Sequence, residues 1–207
     1  MNYLYGLKDS GFEPKVVYDI GSHVLRWTSF ARTLWPEAKF ILFDAWDKAE
    51  LLYQESNAQY FIGVLGREDG KQVNFYQSDQ EPGGNSYYRE IGHPTAHKIF
   101  PDDSCVVRET PRLDSVVVER SLPLPDLVKI DVQGAEWDVI NGGAKTINAA
   151  KWLIVEMQHV QYNQGAPLAK ETIPCIEALG WKCVAPLFTN NGPDGDYAFL
   201  RYKKMWL

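Results

Sequence analysis

Four acids stand at or near the ends of four apolar runs. Asp19 follows Val16-Val17-Tyr18, and Asp44 closes Lys39-Phe40-Ile41-Leu42-Phe43. Asp131 closes Leu127-Val128-Lys129-Ile130, and Glu156 follows Trp152-Leu153-Ile154-Val155. Short apolar runs rich in β-branched and aromatic residues read as strands. Unpaired carboxylates are costly to bury, so these acids mark where strands leave a core. In an open α/β sheet, ligands bind beyond the carboxyl ends of the strands. One acid at such a place is ordinarily a cap or a turn residue. Four at matching ends form a constellation with a site between them.

Each acid has a physical task. Asp44 lies 23 residues after Gly21 and suits the two hydroxyls of a ribose. Gly21 lets backbone approach a ligand closely, and Trp46 offers a face for adenine. The loop Asp19-Ile20-Gly21-Ser22-His23-Val24-Leu25 is not a dinucleotide fingerprint: Asp19 takes the first glycine's place and Val24-Leu25 the last. A pyrophosphate would meet a carboxylate there and be repelled, whereas an ammonium or sulfonium would be attracted. The loop therefore favours S-adenosylmethionine over NAD. Methyl transfer from a sulfonium needs alignment with an acceptor atom, and a hydroxyl acceptor would also need a group that takes its proton. Asp131, Glu156 and His159 are the candidates. A divalent metal ion, Mg²⁺ or Mn²⁺, is the alternative means of acidifying the hydroxyl, and the sequence leaves its ligands unknown. His93 and His97 are four apart, but Pro94 between them and the missing glutamate argue against a helical metal pair. Thr189–Asp196, "TNNGPDGD", lacks the bidentate glutamate of a calcium loop and reads as a hairpin turn.

The elements that position these residues alternate. Strands at 15–20, 39–44 and 58–65 are separated by helices at about 25–34 and 48–57, and Pro36 closes the first helix. A strand "VNFYQSD" follows a turn at 68–71. Residues 80–111, rich in Gly, Pro, Asp, Ser and Tyr, read as a long loop, and such loops are lids or binding loops. Its Gly83-Gly84-Asn85-Ser86 stretch is expected near the cofactor. Then come a helix "RLDSVVVE", the fourth parallel strand at Asp131, a short helix stopped by Gly142-Gly143, and the fifth strand at Glu156. A helix that Pro174 shortens and an antiparallel hairpin end the chain. The predicted fold is a class I methyltransferase Rossmann-like fold: a seven-stranded, mostly parallel sheet with an antiparallel C-terminal hairpin.

The 207 residues suit a single domain, 1–207, with the 80–111 insertion as its lid. A net charge of −6 excludes a phosphate backbone as the main partner, so no nucleic acid is expected. No window approaches the roughly 20 apolar residues of a membrane span. The N-terminus lacks the basic and apolar parts of a signal peptide. Three widely spaced cysteines, Cys105, Cys175 and Cys183, suggest free thiols and a cytoplasmic location.

The stretches "VVYDIGSHVLRWT", "FILFDA", "RLDSVV", "LVKIDVQGAEWDVINGGA" and "WLIVEM", in this order over 16–157, resemble the FkbM-type S-adenosylmethionine-dependent methyltransferases. The strand-four motif is the specific one. The resemblance implies a Rossmann-like sheet and O-methylation of a hydroxyl, often on a sugar or polyketide. It also implies a small-molecule or glycan acceptor and fusion to, or work with, glycosyltransferases. The implied cofactor residues are Asp19, Gly21 and Asp44, and the candidate set around them adds Ser22, His23, Ala45, Trp46, Val64 and Leu65. Tyr87, Tyr88 and Trp137 offer faces for a sugar. Three places depart from the family pattern. Ser22, His23 and Leu25 replace its small residue, asparagine and last glycine, so that Leu25 is expected to narrow the loop or to shift the methionine part of the cofactor. Asp44 stands where the family usually has glutamate. Gln133 replaces the acid after Asp131-Val132. Two other classes stay open: a nicotinamide-dependent oxidoreductase, and a non-catalytic module that keeps the fold.

Overall fold

The computed structural model describes residues 2–101, 103, 105–185 and 192–202. Its main sheet has seven strands: β1 (Val16–Ile20), β2 (Lys39–Asp44), β3 (Gln59–Ile62), β6 (Leu127–Ile130), β7 (Trp152–Gln158), β8 (Trp181–Ala185) and β9 (Asp194–Arg201). The spatial order is β3-β2-β1-β6-β7-β9-β8. β3, β2, β1, β6 and β7 run parallel, and β9 lies antiparallel between β7 and β8. This is the class I methyltransferase arrangement. The turn proposed within 189–196 falls partly at 186–191, outside the described residues.

The central strands are buried on both faces, which is why they read as continuous apolar runs. Tyr18, Ile20, Ile41, Phe43, Val128, Ile130 and Val155 face one core, packed by α5 (Leu113–Glu119), α6 (Glu136–Gly142), α7 (Ala144–Ile147) and α8 (Ala169–Ala178). Val17, Phe40, Leu42, Leu127 and Ile154 face the other, packed by α1 (Asn2–Asp9), α2 (Arg26–Leu34) and α3 (Glu50–Glu55). Side chains alternate along a strand. Asp19 therefore shares a face with Val17, Asp44 with Leu42, Asp131 with Lys129, and Glu156 with Ile154. All four acids lie on the second face, in one row across the sheet.

The structure differs from the sequence reading in three places. The segment 80–111 is not one loop. It carries a 3₁₀ turn at Pro82–Gly84, the short helix α4 (Ala96–Ile99) and the strand β5 (Cys105–Thr110), which pairs antiparallel with β4 (Lys71–Tyr76) in a separate ribbon. Val106 and Val107 point outward from this ribbon, so the apolar alternation of a half-buried strand is missing. Helix α1 was not legible in its mixed composition, although Leu4 and Leu7, one turn apart, are buried. Helix α8 continues to Ala178 with Pro174 inside it. Buried Thr172 and Ile176 hold it against the sheet on both sides of the lost hydrogen bond. No helix among the described residues is long and apolar enough to cross a membrane.

Candidate functional site

The loop after β1 forms the floor of a cleft of about 710 Å³ that opens to solvent at the carboxyl edge of the sheet. Gly21 has φ +84°, and a Cβ there would lie 1.7 Å from the Asp131 carbonyl oxygen. The glycine is thus demanded by the neighbouring strand end as well as by any ligand. Its N–H donates to the Phe43 carbonyl at 2.8 Å, which ties the loop to β2. His23 and Leu25 both have positive φ, 45° and 62°. Leu25 keeps the left-handed backbone of the glycine it replaces, but its side chain is buried in the second core and does not line the cleft. The expected narrowing of the loop does not occur. His23 does line the cleft, and its Nε2 is buried with no hydrogen-bond partner among the described residues.

Asp44 closes β2 and faces the same cleft. Its Oδ2 accepts the His23 N–H at 2.7 Å and its Oδ1 the Trp46 N–H at 2.8 Å. A carboxylate offers about four lone-pair sites, so each oxygen retains acceptor capacity. Burial pushes the Asp44 carboxyl up; the N–H groups of Trp46 and His23 oppose this without overcoming it. The Tyr53 hydroxyl donates to the His23 carbonyl at 2.9 Å and braces the loop from α3.

A strap forms the roof. Tyr76 and Ser86 bridge, so the chain from 77 to 85 turns out over the edge of the sheet. Pro82, Gly83, Asn85, Ser86 and Tyr87 line the cleft. Two sets of bonds hold the strap. On the β2 side, Trp46 Nε1 and Lys48 Nζ donate to the two oxygens of Asp79, at 3.3 and 2.5 Å. On the β7 side, Glu90 bridges Asn163, and Asn163 Nδ2 donates to the Tyr88 carbonyl at 2.9 Å. Tyr87 and Tyr88, ring centroids 5.0 Å apart, both donate to Asp138 Oδ2, at 3.0 and 2.9 Å.

The turn after β6 is held by Glu136, whose Oε1 accepts the N–H groups of Val132 and Gly134, each at 3.0 Å. Gln133 sits in it at φ 55°. Its Nε2 lies 3.2 Å from Asp131 Oδ1 and 3.2 Å from Glu156 Oε2, so one amide bridges the two acids. Beneath them Lys129, 3% exposed, places its Nζ 3.1 Å from Asp131 Oδ2 and 3.5 Å from Asp196 Oδ1. Burial pushes the Asp131 carboxyl up, but the Lys129 charge and hydrogen bonds outweigh it and hold it below its ordinary value. Glu156 is pushed well up, first by the charge of Asp131 and then by burial. The two acids titrate as a pair, and the charge of Asp131 together with burial holds a proton on that pair to higher pH than a free carboxyl would keep it.

Of the cofactor candidates, Gly21, His23, Asp44, Ala45, Val64 and Leu65 line the cleft. Three do not. Asp19 is 1% exposed and accepts from Thr28 of α2 at 2.5 Å, behind the cleft floor. Ser22 is buried and donates to the Asp19 carbonyl at 2.6 Å. Trp46 packs against His23, ring centroids 5.7 Å apart. Of the proton acceptors, Asp131 lines the cleft. Glu156 borders a smaller hollow of about 220 Å³ on the far side of Gln133. His159 lies beyond β7 with its ring edge toward Tyr197, centroids 5.9 Å apart, away from the cleft. Sequence reasoning missed Lys129, whose one signal was a cation inside an otherwise apolar strand. The described residues form no cluster of three or more His, Cys, Asp or Glu arranged for a metal ion. The Asp131 oxygens are instead taken by an ammonium and an amide N–H, a donor set that does not fit a divalent cation.

A family model described as the methyltransferase FkbM domain matches residues 19–183. The 2-O-methyltransferase NoeI of Sinorhizobium fredii (strain NBRC 101917 / NGR234) is 38% identical over 73 residues, which is 35% of this chain and 30% of that protein. Among solved structures, a putative RNA methyltransferase from Pyrococcus horikoshii aligns with a TM-score of 0.52 at 12% identity, covering 99% of this chain and 82% of that one. A precorrin-6y C5,15-methyltransferase from Geobacter metallireducens gives 0.51 at 11%, covering 97% and 86%. Human N-acetylserotonin methyltransferase, solved with S-adenosylmethionine, gives 0.51 at 9%, covering 97% of this chain and 50% of that one. At these identities the structures share the fold alone.

Proposed function

Since the chain belongs to the FkbM methyltransferase family, we propose that it transfers a methyl group from S-adenosylmethionine to a hydroxyl oxygen of a sugar or glycan. The observation that carries this reading is the convergence of Gly21, Asp44 and Asp131 on one roofed cleft. The residues fit the cofactor: Asp44 retains acceptor capacity for ribose hydroxyls, and His23 brings an unpartnered ring nitrogen to the same wall. When bound, S-adenosylmethionine supplies an activated methyl group.

The chain's own work is alignment and proton removal. Alignment supplies roughly 7–11 kcal/mol in well-oriented reactions. Asp131 would receive the proton of the acceptor hydroxyl as its oxygen takes the methyl group, the carbon–sulfur bond breaking with its electron pair left on sulfur. A carboxylate held low is a weak base, so its contribution belongs at the lower end of the usual 10²–10⁴-fold, about 10². Glu156 borders the hollow on the far side of Gln133, and His159 lies away from the cleft, so neither competes for this task. The strap serves as lid over residues 1–207 read as one domain. Tyr87, which lines the cleft and is fixed by Asp138, offers an aromatic face that suits a sugar ring. The relative named as a 2-O-methyltransferase supports oxygen as the acceptor atom. The three free cysteines suit a cytoplasmic setting.

Calorimetry with S-adenosylmethionine tests the reading first, since absent binding would leave the non-catalytic module. Transfer of labelled methyl to a panel of sugars then compares two variants. Asp131→Asn is expected to lose about 10²-fold in rate, while Glu156→Gln, which mimics the protonated acid, stays within about threefold of the parent. Equal loss in both would transfer the proton-accepting role away from Asp131.

A further inference from the structure

Lys129 is a cation in the middle of a parallel strand that is otherwise apolar, and it is 3% exposed. Buried lysines are rare unless paired. The strand's alternation points its side chain along the row of acids rather than into the core of Ile130 and Val128. Five acids face this region: Asp19 from β1, Asp131 after β6, Glu136 from α6, Glu156 from β7 and Asp194 from β9. Asp196 of β9 completes the ring, 3.5 Å from the Lys129 Nζ. Lys129 forms ion pairs with two of them, Asp131 and Asp196, while His159 faces Asp194; the shortest Lys129 contact, 3.1 Å, is to the acid that lines the cleft.

We propose that Lys129 is the positioning residue of this site: an internal cation that, with the Gln133 amide, orients Asp131 as an anion toward the cleft and supplies the charge compensation that a carboxylate-rich site otherwise takes from a metal ion. The inference deepens the proposed function and rests on Asp131 as the proton acceptor. The Gln133 amide donates to Oδ1 and the Lys129 ammonium ion-pairs with Oδ2, and one contact on each oxygen favours a single orientation of the Asp131 carboxylate. A strand residue packed between β1 and β7 sets that orientation more rigidly than a loop residue or an exchangeable ion. Gln133 fits the same scheme. Glutamate at its place would set a third carboxylate between Asp131 and Glu156. The amide offers N–H groups to both.

The test reads the Asp131 carboxyl directly, without turnover. Protein carrying ¹³C at the aspartate carboxyls is titrated, and the Asp131 signal is assigned as the one absent in Asp131→Asn. In the parent its midpoint is expected below the ordinary carboxylate value. In Lys129→Met it is expected to rise by about 1–3 pH units, the effect of losing an opposite charge at this range. If Lys129→Met does not fold, Lys129→Met with Asp196→Asn removes one cation and one anion together and gives the same reading. A parent midpoint at or above the ordinary value overturns the proposal, whatever the variants do. So does an unchanged midpoint in a folded Lys129 variant, or a parent midpoint that moves when Mg²⁺ or Mn²⁺ follows chelation. S-adenosylmethionine calorimetry on the parent separates the two readings. Lost binding would sink the methyltransferase assignment and leave the titration standing; intact binding with an ordinary midpoint would sink the role of Lys129 alone.

Discussion

Asp44 does two tasks with one carboxylate. It closes the floor of the cleft through the N–H groups of His23 and Trp46, and it offers its remaining lone pairs to a ligand. Removing it is therefore worse than removing a ribose acceptor alone. Each hydrogen bond to a charged group contributes about 1.5–3 kcal/mol, so Asp44→Ala is expected to weaken S-adenosylmethionine binding by at least about tenfold in calorimetry. Asp44→Asn, which keeps the shape and loses the charge, should fall between the parent and Asp44→Ala. Unchanged affinity in a folded Asp44→Ala would remove this residue from the cofactor site. The acids were legible in the sequence because a carboxylate at the end of an apolar run breaks a pattern. Whether each one faces the ligand was not. Asp19 and Asp44 occupy equivalent places in the sequence, yet the hydroxyl of Thr28 on α2 claims Asp19 and leaves Asp44 to the cleft.

At the scale of elements, the strap is attached asymmetrically. Its β7 end is stitched by buried backbone and amide bonds through Asn163 and Glu90. Its β2 end hangs on Asp79, an exposed carboxylate gripped by Trp46 and Lys48. Exposed ion pairs weaken with salt, and buried ones far less. The β2 end is thus expected to be the one that opens. Asp79→Ala is expected to speed S-adenosylmethionine release a few-fold in stopped-flow measurements. It should also abolish most of the salt dependence of that rate between low and physiological ionic strength. A release rate that keeps the parent's salt dependence would place the opening elsewhere. Reading the strap from sequence worked where turn residues mark it, at Pro82-Gly83-Gly84, and failed at 105–110. β5 pairs with β4 through backbone bonds that carry no side-chain signature, and its outward valines break the expected alternation. The parallel strands were legible because burial on both faces writes itself into composition. The small ribbon buries Phe75 and Thr110 but leaves most of its other side chains half-buried or exposed, so it leaves no such trace.

At the scale of the whole molecule, the carboxyl edge of the sheet gathers acids that burial keeps protonated longer than usual. Asp19 is pushed up to about 6, chiefly by burial, against the hydrogen bond from Thr28 and the charge of Lys129. Glu136 is pushed up to about 7, again chiefly by burial. Glu156 is raised as well, by Asp131 and burial. An acid whose folded value exceeds its unfolded value, about 3.9 for Asp and 4.3 for Glu, stabilises the fold at pH below the unfolded value. That contribution is lost as pH rises through the folded value, at up to about 1.4 kcal/mol per pH unit for each group. The loss runs from about pH 4 to 6 for Asp19, from about pH 4 to 7 for Glu136, and continues above that for Glu156. Asp131 and Asp69 act with the opposite sign. Their folded values are lowered, Asp69 to about 2, so what they contribute is present above the unfolded value and is lost as pH falls. The two slopes cross on the acidic side of neutrality. Scanning calorimetry is expected to find the highest melting temperature near pH 4 and a steady decline to pH 8, steeper than a chain of net charge −6 shows by self-repulsion alone. Asp19→Asn should flatten the curve between pH 4 and 6 and leave the decline above it, because the amide oxygen still accepts from Thr28 while nothing remains to ionise. A melting temperature that rises from pH 5 to pH 8 in the parent would mean that water or a counter-charge reaches these acids, and that the row behind the cleft is not the low-dielectric layer its burial describes.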